Sequence, residues 1–153
     1  MNIELRKISK AEFKNIKTPT LFEDIVYDRA FGVVSNGENE YKIGWWTDGY
    51  TQPEIKLIDI NICTIGIDLV FIIFEFNTGR IRLKLSLSNY FYFTRIFNGF
   101  LYVISEFDIF KINIKNLDVV ETFALPDIYT GIEEESESYF IVKCMDGRMV
   151  TIK

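Results

Sequence analysis

Four hydrophobic runs recur along this chain, and each is broken by a short turn before a second run begins. The runs start near Tyr41, Leu69, Leu101 and Tyr139, so successive starts lie 28, 32 and 38 residues apart. A period in this range is typical of a repeated supersecondary unit. The repeat therefore restricts the chain to architectures in which similar small units follow one another.

The second unit shows the pattern most clearly. Apolar residues run from Leu69 to Phe76, Asn77-Thr78-Gly79 interrupts them, and residues 80–87 alternate polar and aliphatic side chains. Such alternation predicts a β-strand with one wet and one buried face. The turn favours a tight hairpin, because glycine adopts positive φ without a Cβ clash. We therefore expect each unit to contain an antiparallel hairpin.

The other units predict hairpins of the same kind. The first joins residues 41–46 to 54–57 across Thr47-Asp48-Gly49, and the third joins residues 100–104 to 109–114 across Glu106-Phe107-Asp108. The last joins residues 139–144 to 148–152 across Met145-Asp146-Gly147. This pattern resembles the blades of a β-propeller. Closed propellers use about four to eight four-stranded blades, and a blade of about 40–50 residues allows only about three here. The resemblance implies a mainly β fold, as a partial (half) β-propeller or a twisted sandwich; a plain antiparallel meander is the alternative.

Length and composition predict one domain spanning residues 1–153. A chain of this length buries a sizeable core without covalent staples, and 16% aromatic residues suit half-buried pleated surfaces. Residues 1–30 lack the repeat, and we expect them to pack on the repeats of residues 31–153. There we predict an edge strand near Ile3–Ile8, one short helix with a Ser9–Glu12 capping box, and a return segment around Leu21–Tyr27.

The first residues and the two cysteines predict a cytoplasmic protein. Charged Glu4, Arg6 and Lys7 occupy the place where a signal peptide needs an apolar stretch. The most apolar run is too short to cross a bilayer as a helix, so we expect no membrane partner. We expect Cys63 and Cys144 to be two buried thiols, because reducing compartments keep thiols reduced; a disulfide between them is the alternative.

The absence of histidine narrows the possible chemistry. Ser-His-Asp and Cys-His catalysis is excluded, and neither a zinc site nor a glycine-rich phosphate loop is present, so we expect no cofactor. Paired carboxylates support glycoside hydrolysis, but the candidates lie mostly at predicted turns, where Asp caps the local backbone. We therefore predict that the protein is not an enzyme; a carbohydrate enzyme or lectin is a further alternative. The candidate carboxylates are Asp48, Asp68, Asp108 and Asp146.

Acidic residues concentrate in the last third of the chain. Between Asn116 and Val142 there are seven acids and no Lys or Arg. We expect residues 133–137 to form a loop before the last hairpin. Such a loop either keeps the sheet soluble or acts as an anionic arm that steers and clamps a basic partner. Nucleic acid is disfavoured as a direct ligand, because phosphate binding needs clustered cations.

Size, acidity, missing catalytic residues and an Ile-, Lys- and Asn-rich composition together resemble the immunity proteins of interbacterial toxin systems, including contact-dependent growth inhibition. The resemblance implies a bacterial monomer that covers the basic active-site cleft of a cognate toxin, a nuclease. Aromatic residues near turns add interface anchors. The predicted partner-binding residues are Glu133, Glu134, Glu135, Glu137, Asp127, Tyr129, Trp46, Asp48 and Tyr50. The alternative is a structural scaffold whose last strand, Arg148–Lys153, pairs with another chain or with itself.

Overall fold

The computed structural model describes residues 2–24, 29–47 and 51–153. Across these ranges the protein is mainly β, with strands in four sheets and one short helix, which confirms the predicted fold class. The chain divides into two compact units, Met1–Leu85 and Ser86–Lys153, and each unit has its own hydrophobic core. That the two form one domain stays a prediction.

The first sheet contains four strands, namely β1 (Glu4–Ile8), β2 (Thr20–Glu23), β3 (Arg29–Ser35) and β4 (Glu40–Trp46). Its order is β1-β3-β4-β2, in which β2 is parallel to β4 and the other pairs are antiparallel. The strand β1 confirms the predicted edge strand. The strand β2 confirms the start of the predicted return segment, whose residues 25–27 lie outside the described ranges.

The predicted helix is α1 (Lys10–Asn15), and it begins with the Ser9 half of the expected capping box, while the Glu12 carboxylate accepts a hydrogen bond from the Arg6 guanidinium at 3.3 Å. The Ser9 hydroxyl accepts a hydrogen bond from the Glu12 amide at 3.1 Å. Buried Phe13 docks the helix on the sheet, with its ring centroid 4.7 Å from that of Phe31. The Lys42 ammonium donates to the Phe13 carbonyl at 2.7 Å, so a cation satisfies an orphan carbonyl at the end of the helix.

Removing the helix cap is expected to have a modest cost. Ser9→Ala should lower the free energy of unfolding by about 1 kcal/mol, because the Glu12 amide loses its side-chain acceptor. Ser9→Asp should retain most of the stability, since its carboxylate accepts the same bond. Urea unfolding of the three proteins measures the difference, and an equal loss in both variants would contradict a capping role.

The second and third sheets contain four strands each, in chain order. The second contains β5 (Glu54–Leu57), β6 (Ile62–Ile67), β7 (Val70–Glu75) and β8 (Ile81–Ser86). The third contains β9 (Phe91–Phe97), β10 (Phe100–Ser105), β11 (Asp108–Asn113) and β12 (Val119–Ala124). The pairing of β7 with β8, and of β10 with β11, confirms two of the predicted hairpins.

The fourth sheet contains three strands, namely β13 (Tyr129–Glu135), β14 (Phe140–Cys144) and β15 (Met149–Ile152). The antiparallel pairing of β14 with β15 confirms the last predicted hairpin. Gly147 in its turn has a φ of +88°, which is the conformation that the Asp-Gly signal predicted.

The first predicted hairpin is wrong. The strand β4 pairs with β3 and β2, whereas β5 starts the next sheet by pairing with β6. The connection that holds β4 in its sheet is the turn before it, where the Asn36 side chain accepts hydrogen bonds from the amides of Glu38 and Asn39 at 2.9 and 2.8 Å. The Asn36-Gly37 pair was therefore the effective hairpin signal.

The predicted buried face of residues 80–87 is also wrong over most of its length. In β8 the side chain of Ile81 is exposed, and those of Leu83 and Leu85 are only half-buried. The reason is that β8 is an edge strand of its sheet. Alternation identified the strand correctly but not the depth of its burial.

Both cysteines are buried free thiols, as the sequence predicted. Burial raises the pKa of the Cys63 thiol to about 12. Among the described residues, no helix is long and apolar enough to cross a membrane.

Candidate partner-binding site

Three of the predicted glutamates lie in the edge strand β13. Glu133, Glu134 and Glu135 are exposed, and the strand pairs with β14 on one side. The expectation of a loop is wrong for these residues, because β13 continues its pairing through Glu134 and Glu135. A register shift between Ile132 and Glu134 inserts an irregularity, which bends a strand locally. The carboxylates are therefore carried by a paired backbone.

The fourth glutamate lies in the turn that follows. Glu137 is exposed, and the turn around it is closed by the Ser136 amide, which donates to the Tyr139 carbonyl at 2.9 Å. This short turn ends the acidic segment, and β14 begins directly after it. We refer to Glu133, Glu134, Glu135 and Glu137 as the acidic edge.

One of these carboxylates has a partner within the chain. Glu135 forms an ion pair with Arg95 of β9, whose side chain is 19% exposed. The guanidinium carbon of Arg95 lies 5.2 Å from the ring centroid of Phe97 and 4.9 Å from that of Phe140. Arginine over aromatic faces gains cation–π attraction. The ion pair therefore connects β13 to the aromatic core of the second unit.

The remaining carboxylates carry net negative charge. None of the ion pairs formed among the described residues involves Glu133, Glu134 or Glu137. Holding like charges near one another on a sheet edge is unfavourable unless a cation neutralises them. The acidic edge is consequently suited to a cationic partner.

Asp127 and Tyr129 lie at the other end of β13. The seven residues of this strand extend over about 20 Å. Asp127 is half-buried, and its carboxylate accepts a hydrogen bond from the Ile128 amide at 2.8 Å. Tyr129 is only 9% exposed and packs on Tyr92 and Phe93 with ring centroids 6.0 and 5.7 Å away. Tyr129 is thus a core side chain that offers little surface to a partner.

Burial also sets the ionisation of this tyrosine. Desolvation raises the pKa of the Tyr129 hydroxyl, and the nearby Arg95 charge opposes this shift. Its phenol therefore remains neutral at physiological pH and adds nothing to the charge of the acidic edge.

The remaining predicted residues belong to the first unit. Trp46 ends β4 and is half-buried, while its neighbour Trp45 is fully buried. Asp48 and Tyr50 lie outside the described residues. That these residues share one rim with the acidic edge stays a prediction.

Arg95 is a residue of this site that the sequence analysis did not identify. It lies within a strand that is otherwise rich in aromatic residues, Phe91–Phe97. A half-buried arginine in such surroundings requires a counter-charge, and the acid-rich segment is the largest source of carboxylates in the sequence. An arginine within an aromatic strand, together with this acidic segment, was therefore the sequence signal for the ion pair.

Two of the carboxylates considered for catalysis, those of Asp146 and Asp108, accept local hydrogen bonds. Asp146 accepts a hydrogen bond from the Arg148 amide at 2.9 Å, and this bond lowers the pKa of Asp146. Asp108 accepts from the Asn89 side chain at 3.0 Å, and Asp68 lies in the β6–β7 turn with a backbone φ of +54°. Asp48 lies outside the described ranges. Within those ranges, no group of three or more metal-ligating side chains comes together.

Comparison with known proteins identifies the fold. No protein-family model matches the sequence, and no curated protein matches it significantly. Solved structures do match: the computationally designed Ika4 protein has 10% identity and a TM-score of 0.51, covering 91% of this chain and 93% of that one. The WD40 β-propeller domain of Doa1 has 11% identity and a TM-score of 0.52. BamB from Moraxella catarrhalis has 17% identity and a TM-score of 0.50.

These similarities confirm blade-like, β-propeller-type repeats. At such low identity they concern the fold alone. The Doa1 domain and BamB each match over 97% of this chain, yet the chain spans only 49% of either of them. The chain therefore has about half the length of the two structures.

Proposed function

We propose that this protein is a non-catalytic binding module that neutralises a basic bacterial toxin domain, a nuclease, by covering its active-site cleft with the acidic edge. The observation that carries the proposal is the set of exposed carboxylates on β13 and its following turn, of which only Glu135 is ion-paired within the described chain. Cytoplasmic neutralisation without cofactor or nucleic acid is part of the same proposal.

The electrostatic logic favours such a partner. A cleft that binds nucleic acid must present clustered Lys and Arg to phosphate groups. Carboxylates held on a paired strand present complementary charge without first ordering a loop, which lowers the entropic cost of association. Complementary charge also raises the association rate. The acidic edge therefore combines steering with a pre-ordered contact surface.

The chain itself contains an example of the contact that we propose. Arg95 reaches Glu135 while its guanidinium lies over Phe140. A toxin arginine that approaches Glu133 or Glu134 forms the same charge-assisted hydrogen bond. We expect the partner to be richer in Arg than in Lys, because the planar guanidinium pairs with carboxylates in a bidentate manner.

Neutralising the acidic edge should weaken this interaction strongly. The triple variant Glu133→Gln/Glu134→Gln/Glu137→Gln should bind the toxin domain at least about tenfold more weakly, mainly through a slower association rate, and should lose most of the salt dependence. The toxin domain is first identified by co-purification with the tagged protein from its native host at low and moderate salt. Surface plasmon resonance with the purified domain then measures both rates.

A matched control separates position from net charge. Glu4, Glu38 and Glu40 are exposed glutamates of the first unit, and none belongs to an ion pair among the described residues. Changing all three to Gln removes the same charge elsewhere. Equal weakening by both triple variants would show that net charge alone matters, and unchanged affinity in the β13 variant would remove the acidic edge from the proposal.

The alternative function is a structural scaffold that pairs through its last strand. A different observation favours it, namely that the edge strand β15 contains no charged residue.

A further inference from the structure

Within the part of the chain that the structure describes, the strand β15 has one edge without a neighbouring strand. In the second sheet the third strand in chain order, β7, pairs with a fourth strand, β8. In the third sheet the third strand, β11, likewise pairs with a fourth, β12. In the fourth sheet β15 pairs only with β14 among the described residues. In both of these sheets the neighbour of the third strand is therefore another β-strand, and β15 is the third strand of its sheet.

This edge lacks the protection that the other edges have. Seven other strands of residues 2–24, 29–47 and 51–153 lie at sheet edges, and each contains at least one charged residue; they are β1, β2, β5, β8, β9, β12 and β13. Natural sheets use such charges, together with bulges, to prevent further strand pairing. The sequence of β15, Met-Val-Thr-Ile, contains no charge, and its pairing with β14 has no register shift. The edge is therefore a ready template for another strand.

The direction of the backbone N–H and C=O groups determines which residues of β15 are able to bond to another strand. The Cys144 amide donates to the Arg148 carbonyl at 2.8 Å, so residues 148, 150 and 152 direct their backbone toward β14. Met149 and Thr151 direct theirs toward the open edge, and both side chains are exposed. Beyond them, the Lys153 carbonyl accepts a hydrogen bond from the Lys111 ammonium at 2.8 Å, which limits the open stretch.

We propose that β15 pairs with β15 of a second copy of this chain, in an antiparallel arrangement with Val150 on the two-fold axis. Met149 then lies opposite Thr151 of the second copy, and Arg148 opposite Ile152. A register shifted by one residue sets Arg148 against Lys153 and brings backbone groups directed toward β14 into the new ladder, so it is disfavoured.

Symmetry favours this occupant over other edges of a second copy. Pairing of β15 with itself is isologous and closes as a dimer, whereas pairing with a different edge leaves both surfaces free to extend into open assemblies. Every other edge strand would also bring into the ladder a charged residue from within the strand itself, whereas in β15 the charged Arg148 only flanks the strand. The proposed dimer differs from the monomer expected from the sequence and goes beyond the proposed toxin binding. Because β14 separates β13 from β15, the acidic edge remains available in the dimer.

Charge-swapped variants test both the dimer and its register. Wild-type protein should show twice the chain mass in sedimentation equilibrium, with dissociation on dilution. Met149→Lys/Thr151→Lys sets lysines opposite each other across the axis and should be monomeric, as should Met149→Glu/Thr151→Glu. An equimolar mixture of the two variants should recover the dimer, because each Lys then faces a Glu.

Each possible result is informative. A wild-type monomer at all concentrations would overturn the proposal, and so would a dimer that persists in the lysine variant with native circular dichroism. If each variant alone is monomeric and the mixture is monomeric too, positions 149 and 151 do not lie opposite each other, and the proposed register is wrong. Thr151→Pro is an independent check of the dimer and should also be monomeric. Proline removes the Thr151 N–H that is directed toward the second copy, at an edge position that tolerates proline. The acidic-edge variant should dimerise normally, so failure of toxin binding is distinguishable from failure of this proposal.

Discussion

Replacing Phe140 by alanine is expected to destabilise the second unit by about 3–5 kcal/mol. Phe140 is fully buried at the start of β14. Its ring is edge-on to those of Tyr102 and Phe97, with centroids 5.0 and 5.3 Å away. Truncation removes these aromatic contacts and leaves a cavity between neighbours that are held by paired strands.

The same change should weaken the acidic edge. Arg95 loses the ring that lies 4.9 Å from its guanidinium carbon, so its ion pair with Glu135 becomes less well ordered. Hydrogen exchange of the β13 and β14 amides reports this directly, and urea unfolding followed by near-ultraviolet circular dichroism reports the loss of stability. Both tryptophans lie in the first unit, so tyrosine signals serve better here.

Val120→Ala is the matched control in the same unit. Val120 is 50% exposed, and its truncation should change stability by no more than about 0.5 kcal/mol. Phe140→Leu keeps most of the volume and should fall between the two. A cost below about 1 kcal/mol for Phe140→Ala would mean that the site collapses around the missing ring, contrary to the rigid packing described.

Turn chemistry made much of the fold predictable from the sequence. The hairpins at Asn77-Thr78-Gly79 and Asp146-Gly147 were identified because glycine with positive φ leaves a local signature. The error at β4 has the same origin, since two turn signals flank that strand and pattern alone does not show which one joins paired strands. The choice of neighbour depends on tertiary packing, which no local window contains.

The candidate site was predictable in its charge but not in its conformation. The acidic bias of residues 116–142 is a property of composition and was evident directly. That Glu133–Glu135 form a strand was not, because Glu is disfavoured in strands and pairing with β14 overrides this preference. The Arg95–Glu135 ion pair joins residues that are distant in the sequence, so no periodicity announces it. Tyr129 was predicted as an anchor, yet its packing on Tyr92 and Phe93 makes it core.

Substituting alanine for Gly79 is expected to destabilise the first unit by about 2–5 kcal/mol, from two separate causes. Gly79 has a φ of +75°, which costs an L-residue about 1–2 kcal/mol. A Cβ at this position would also lie 2.6 Å from Cε1 of Tyr41, and overpacking of this kind costs about 1–3 kcal/mol. Tyr41 has little room to yield: it is 6% exposed, and its hydroxyl donates to the Phe76 carbonyl at 2.7 Å.

Gly37→Ala separates the two causes. Gly37 has a comparable φ of +92°, but a Cβ there meets no atom within 4 Å, so only the backbone strain remains. Both glycines belong to the first unit, where the buried Trp45 provides a fluorescence signal for the same unfolding transition. The excess cost of Gly79→Ala over Gly37→Ala then measures how firmly the Phe76 carbonyl and the surrounding rings hold Tyr41. Equal costs would show that the Tyr41 ring moves aside freely, so its hydrogen bond would not fix the position of the β7–β8 turn against β4.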